Sequence, residues 1–229
     1  SKALNEAANG KLRVAKVDKK QRRRNPSPPF TTSTLQQEAS RKLGFGAQRT
    51  MRTAQQLYEG VDIGGETIGL ITYMRTDSVN LAAEAIEEMR EFIKERYGAD
   101  NVPDDVQVYK SKSKNAQEAH EAVRPTSVTR VPEEIKSTLS SDQFKLYDLI
   151  WKRTVACQMV HATLDTVAVD LEAGAGNLFR ANGSTVVKPG FMTVYQEGSD
   201  DKAGDDDKEK LLPPMEVDQQ IEIVEIRRE

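Results

Sequence analysis

The hydrophobic period changes twice along the chain, and that change limits what it can fold into. Between about residue 30 and residue 160, apolar side chains recur at steps of three and four, the spacing of helices that bury one face. Before that block Leu12 and Val14, continued by Val17, alternate with Arg13 and Lys16. After it Val167, Val169 and Leu171 alternate with Ala168, Asp170 and Glu172. A period of two marks a half-buried strand. The simplest architecture is α+β: a helical domain over 26–160, inserted into a discontinuous β-rich domain made of 1–25 and 161–229.

Local punctuation refines this. Gly10 stops a short helical tail, and 19–29 is first basic and then proline-rich (Pro26, Pro28, Pro29), so it reads as a linker. Ser33 with Gln36, or Thr34 with Gln37, fits a capping box for a helix carrying Leu35, Ala39 and Leu43 and ended by Gly44. A second helix is expected from about Thr50, presenting Met51, Ala54, Leu57 and Tyr58. Gly64-Gly65 suits the tight turn of a hairpin over 61–68. Ser78 or Asn80 can cap a helix with Ala82, Ala85, Ile86, Met89, Phe92 and Ile93 on one face. Gln117 to Val123 reads as a helical turn or two closed by Pro125, with Gln117, His120 and Arg124 on a shared face. Pro132 can open a helix over 133–139. Ser140 with Gln143 starts another, running to about Met159 with Trp151 in the core. Short strands are expected at 177–181, 185–188, 191–195 and around Ile221, Ile223 and Ile226.

At 229 residues the chain has room for one large domain or two small ones. No apolar run approaches the ~20 residues of a membrane span, and no signal peptide opens the sequence. The single cysteine, Cys157, excludes an internal disulfide and suits a buried structural thiol in a reducing, cytoplasmic setting. A net charge of −3 conceals an asymmetry: nine Lys and Arg against two acids in 1–25, and seven acids against three lysines in 197–210. The basic run is a solvated linker or a nucleic-acid contact. Asp205 to Asp207 reads as a solvated charge run, not a metal site. There is no phosphate-binding Gly-x-x-x-x-Gly-Lys loop and no His/Cys cluster for zinc.

The chemistry that remains lies in Ile68-Gly69-Leu70-Ile71-Thr72-Tyr73-Met74-Arg75-Thr76-Asp77-Ser78. Read as a strand, it sets Ile71, Tyr73, Arg75 and Asp77 on one side and Thr72, Met74 and Thr76 on the other. A phenol can act as nucleophile, and a guanidinium two residues on offers a fork for two phosphate oxygens. An edge strand with a solvated polar face is the plain alternative. The helix pair over 34–58 gives a second reading, a non-enzymatic helix-turn-helix DNA-binding module using Arg49 and Arg52.

The stretch from Gly69 to Ser78 resembles the active-site segment of type IA DNA topoisomerases, of the bacterial topoisomerase I kind. Further segments agree in order: Pro29-Phe30-Thr31-Thr32-Ser33-Thr34-Leu35-Gln36-Gln37 with Lys42-Leu43-Gly44-Phe45-Gly46, Ala54-Gln55-Gln56-Leu57-Tyr58-Glu59, Gln117-Glu118-Ala119-His120-Glu121-Ala122-Val123-Arg124-Pro125, and 149–159. The topoisomerase III kind usually carries proline where Met74 stands. The resemblance implies a winged-helix-like, mostly helical tyrosine domain inserted into a β-rich arch domain. It further implies ATP-independent relaxation of negatively supercoiled DNA in the bacterial nucleoid: transient single-strand cleavage through a 5′-phosphotyrosine, strand passage and religation.

In that scheme Tyr73 is the nucleophile, and its phenol, with an ordinary pKa of about 10, needs help to attack. Arg75 clamps the scissile phosphate. Asp77 either orients Arg75 or caps the next helix. His120 and Arg124 contact the DNA strand, His120 with a proton-relay role, and Gln117 joins them. The family's acidic Mg²⁺-binding domain, with Asp-x-Asp and a separate Glu, has no counterpart in these residues, nor has the rest of the DNA gate. The expectation is a central fragment with no metal ligands of its own, dependent on those domains and unable to relax DNA alone.

Overall fold

The computed structural model describes residues 8–110, 120–174, 176–197 and 213–224. Helices and antiparallel strands form two compact units, one drawn from 1–24, 163–188 and 203–229 and one from 25–162 and 189–202.

In the first unit four strands stand in the sheet order β5 (Leu178–Lys188), β4 (Ala162–Glu172), β1 (Lys11–Arg24) and β6 (Gln220–Glu222), with β1 paired to β6 on one side. Strands β4 and β5 form a long antiparallel ladder from Thr163 opposite Lys188 to Glu172 opposite Leu178. Arg13 meets Glu172 at one end of the β1–β4 pair and Gln21 meets Asp165 at the other, so these strands also run in opposite directions. Two expectations change here. The basic run 19–24 continues β1 instead of forming a linker, because sheet pairing satisfies its backbone while its side chains stay in water. The two short strands expected over 177–188 are one.

The second unit holds the helices. Helix α1 (Thr32–Leu43) buries Leu35 and Ala39 and ends on Gly44, whose φ of 67° is left-handed. Its cap is Thr31, not Ser33 or Thr34: Thr31 is extended, its hydroxyl accepts from the Thr34 amide, and Thr34 returns the bond. Helix α2 (Ala47–Glu59) starts three residues before Thr50 and leads into hairpin strands β2 (Val61–Ile63) and β3 (Glu66–Ile68). Gly64 and Gly65 at φ 68° and 94° make that turn, as expected.

Helix α3 (Ala83–Tyr97) buries Ala85, Met89 and Ile93 and ends at Gly98. Neither Ser78 nor Asn80 caps it; the cap position is Ala82, whose amide donates to Glu121 Oε1 at 2.8 Å. Only a turn and a short 3-10 segment, Lys136–Thr138, form over 133–139. Helix α4 (Ser141–Cys157) opens with the Ser140/Gln143 capping box, and buried Trp151 donates from its indole to the Val128 carbonyl at 2.8 Å.

The strand expected over 191–195 does not form: a 3-10 turn, Gly190–Thr193, leads into Val194 and Tyr195 within this helical unit. Phe191 and Tyr195 are buried there. The Tyr195 hydroxyl donates to Glu38 at 2.6 Å and accepts from Arg153, which also donates to the Pro28 carbonyl at 2.6 Å. No helix among the described residues is long and apolar enough to cross a membrane.

Candidate active site

The stretch 68–78 is extended; Ile68 ends the β2–β3 hairpin, and from Gly69 on it belongs to no ladder among the described residues, with an isolated bridge from Ile71 to Pro125. Alternation holds from Tyr73 onward. Met74, Thr76 and Ser78 are buried, and Tyr73, Arg75 and Asp77 face outward. Ile71 breaks the expected line of four, since it is buried although it shares the parity of Tyr73.

In place of a ladder, two threonines fix the segment from either side. The Thr72 hydroxyl donates to the Ala122 carbonyl at 2.7 Å and accepts from the Arg124 amide at 3.0 Å, while the Thr72 amide donates to the Arg124 carbonyl at 2.9 Å. The Thr32 hydroxyl donates to the Met74 carbonyl at 2.7 Å and accepts from the Thr76 amide at 2.9 Å, while the Thr32 amide donates to the Thr76 carbonyl at 2.9 Å. Tyr73 thus projects from a backbone held immediately before and after it. Upstream, the Leu70 amide donates to the Leu57 carbonyl at 2.7 Å. There Gly69 passes so close to α2 that a Cβ on it would sit 2.8 Å from the Tyr58 carbonyl oxygen.

Tyr73 is 49% exposed, and its ring meets that of Tyr58 edge to face, centroids 5.4 Å apart at 65°. Beyond it Arg75, Thr76 and Asp77 line a cleft of about 370 Å³ with Thr31, Thr32, Ser33 and His120. Arg75 makes no hydrogen bond or ion pair among the described residues, so its guanidinium stands ready for an anion in this cleft. The structure therefore brings Arg75, Asp77 and His120 together. Tyr73 borders the group through the chain without lining the cleft.

Arg124 sits differently. Its guanidinium forks onto Glu121 Oε2 at 2.7 and 3.0 Å, donates to the Pro125 carbonyl at 2.9 Å, and is mostly buried. The helical turn expected here is absent over the described residues 120–125, which run extended and bridge Phe30 through Val123 and Ile71 through Pro125. Gln117 lies outside the described residues. Arg49 forks onto Asp142 at 2.7 Å through both nitrogens and lies over the Phe45 ring, so it braces α2 against α4; Arg52 is exposed. No three His, Cys, Asp or Glu side chains converge among the described residues in a way that could hold a metal ion.

Tyr58 and Glu121 were absent from the candidates drawn from the sequence. Tyr58 carried only a helix-face reading. Glu121 pairs with Arg124 three residues on, but its link to the Ala82 amide, 39 positions away, arises only through the fold.

The DNA topoisomerase family model matches residues 1–229. DNA topoisomerase 1 of Xylella fastidiosa is 54% identical over 228 residues, covering 99% of this chain and 28% of that protein. DNA topoisomerase 1 of Rickettsia bellii is 53% identical over 214 residues, covering 93% of this chain and 26% of that protein. The solved full-length topoisomerase I of Thermotoga maritima superposes with a TM-score of 0.79 at 35% identity, over 97% of this chain and 34% of that one. The chain thus spans about a quarter of the length of these curated relatives. With the match running from end to end, this chain belongs to the type IA DNA topoisomerase family, on its bacterial topoisomerase I branch.

Proposed function

We propose that this chain supplies the nucleophile half of a topoisomerase site that acts on a single-stranded stretch of negatively supercoiled bacterial DNA, in the cytoplasm at the nucleoid. One observation carries the reading: a half-exposed tyrosine, fixed before and after by backbone hydrogen bonds, stands two residues from an arginine with no partner among the described residues, at the edge of a cleft.

In the forward step the Tyr73 phenolic oxygen bonds to a backbone phosphorus, and the bond from that phosphorus to the 3′ oxygen breaks. The phenol loses its proton and the departing 3′ oxygen gains one, leaving a 5′-phosphotyrosine and a 3′ hydroxyl. Religation is the reverse attack by that hydroxyl. An ester is exchanged for an ester, so no nucleotide need be hydrolysed. Arg75 neutralises the extra charge on the phosphate as the fifth bond forms. His120 faces the same cleft and can hold or pass a proton. Arg124 acts through its backbone bonds to Thr72, with its side chain held by Glu121. The helical unit is read as the tyrosine domain and the sheet unit as the arch domain.

Mg²⁺ is proposed for the complete enzyme. The described residues offer no set of ligands for it, and no step above passes through it. The test is to supply this chain, together with the remaining segments of a full-length relative and Mg²⁺, with single-stranded DNA. Denaturation with detergent should trap a covalent adduct that disappears in Tyr73→Phe. An adduct of equal yield in Tyr73→Phe overturns the assignment.

A further inference from the structure

We infer that Tyr58 is a positioning residue for the nucleophile: its ring holds the Tyr73 ring in the orientation from which the phenol attacks. The inference rests on the reading of Tyr73 as nucleophile and adds a second aromatic side chain to that site. A half-exposed tyrosine on an extended segment has several staggered χ1 wells open to it, and the two threonines fix the backbone only. In-line attack needs the oxygen placed to within a few tenths of an ångström, so a free rotor loses rate. Among the described residues the ring paired with Tyr73 is that of Tyr58, edge to face at 5.4 Å.

The scaffold suits the task. Tyr58 sits in the last turn of α2, whose Thr53, Ala54 and Leu57 are buried. Its own carbonyl lies against Gly69, and the Leu57 carbonyl accepts from the Leu70 amide at 2.7 Å. The crossing of helix and active-site stretch is therefore set by backbone contact just upstream of Tyr73, which fixes where the two rings meet. Neither hydroxyl has a hydrogen-bond partner among the described residues, so the contact is between rings, and a phenylalanine can replace Tyr58. Such pairs favour edge-to-face geometry, which restricts the ring without burying the phenolic oxygen.

The experiment compares parent, Tyr58→Ala, Tyr58→Leu and Tyr58→Phe in the reconstituted enzyme. It measures the rate of covalent adduct formation at saturating single-stranded DNA and, separately, the affinity for the same oligonucleotide. Tyr58→Ala and Tyr58→Leu should each lose rate about tenfold, with affinity within twofold of parent, and Tyr58→Phe should restore the rate. Leucine keeps the apolar bulk, so a loss in both variants tracks the ring and not a defect in folding. A loss under threefold overturns the inference. So does a drop in affinity that accounts for the lost rate, since Tyr58 would then be a stacking platform for a base. If parent itself forms no adduct at Tyr73, the underlying nucleophile reading fails; an adduct in parent with equal rates in all three variants fails Tyr58 alone.

Discussion

Thr32 and Thr72 each tie two backbone groups together through one hydroxyl, because a hydroxyl donates and accepts at once. That property lets a segment without a ladder be held as firmly as a strand. Valine in place of Thr32 keeps the shape but leaves the Met74 carbonyl and the Thr76 amide without this partner. Thr32→Val should therefore lower the unfolding free energy by about 2 kcal/mol, read from urea denaturation. It should also slow adduct formation beyond what its affinity for DNA explains. Tyr73, Arg75 and His120 were legible as residues because their chemistry is unusual and their surrounding text is distinctive. Thr32 and Thr72 carried no such mark. Their roles depend on partners some 40 to 50 positions away, and no local spacing reports that.

At the scale of elements, Gly69 decides how the active-site stretch crosses α2. Its lack of a side chain is a matter of space, since a Cβ would press on the Tyr58 carbonyl oxygen at 2.8 Å. Backbone cannot yield as a flexible side chain can, so Gly69→Ala should push the stretch away from the helix. Adduct formation should fall at least tenfold, with far-ultraviolet circular dichroism unchanged. The contact between α2 and α4 has its own signature. The Arg49 fork holds the Asp142 carboxyl below the usual range, so its stabilising effect is present above about pH 4 and is lost as pH falls through the depressed value. Asp142→Asn should flatten that part of the acid unfolding curve while leaving its neutral limb displaced to lower stability.

Elements with local signals were readable: the Gly44 stop, the Gly64-Gly65 turn, the Ser140/Gln143 cap and the apolar stripe of α3. The extended run 120–125 was not, because its backbone partners are Phe30 and Ile71 and its residue types fit a helical turn equally well. The 3-10 turn at Gly190–Thr193 escaped for a related reason. Phe191 and Tyr195 look like strand positions in isolation, and only the buried Glu38, Arg153 and Tyr195 network shows what they dock against.

For the molecule as a whole, the change of period correctly indicated a mixed α+β chain with strands at its ends and helices between them. It misplaced residues 189–197, which cluster with the helices. Hydrophobic period is a local quantity, whereas membership of a unit is set by long-range packing. The proposed function turns on one bond, between the Tyr73 phenolic oxygen and a DNA phosphorus. The most direct measurement is mass-spectrometric mapping of the protease-digested covalent adduct formed by the reconstituted enzyme on a single-stranded oligonucleotide. A nucleotide joined through its 5′ phosphate to Tyr73 is the expected product; a nucleotide on any other residue, or one joined through its 3′ phosphate, overturns the assignment of Tyr73 as nucleophile.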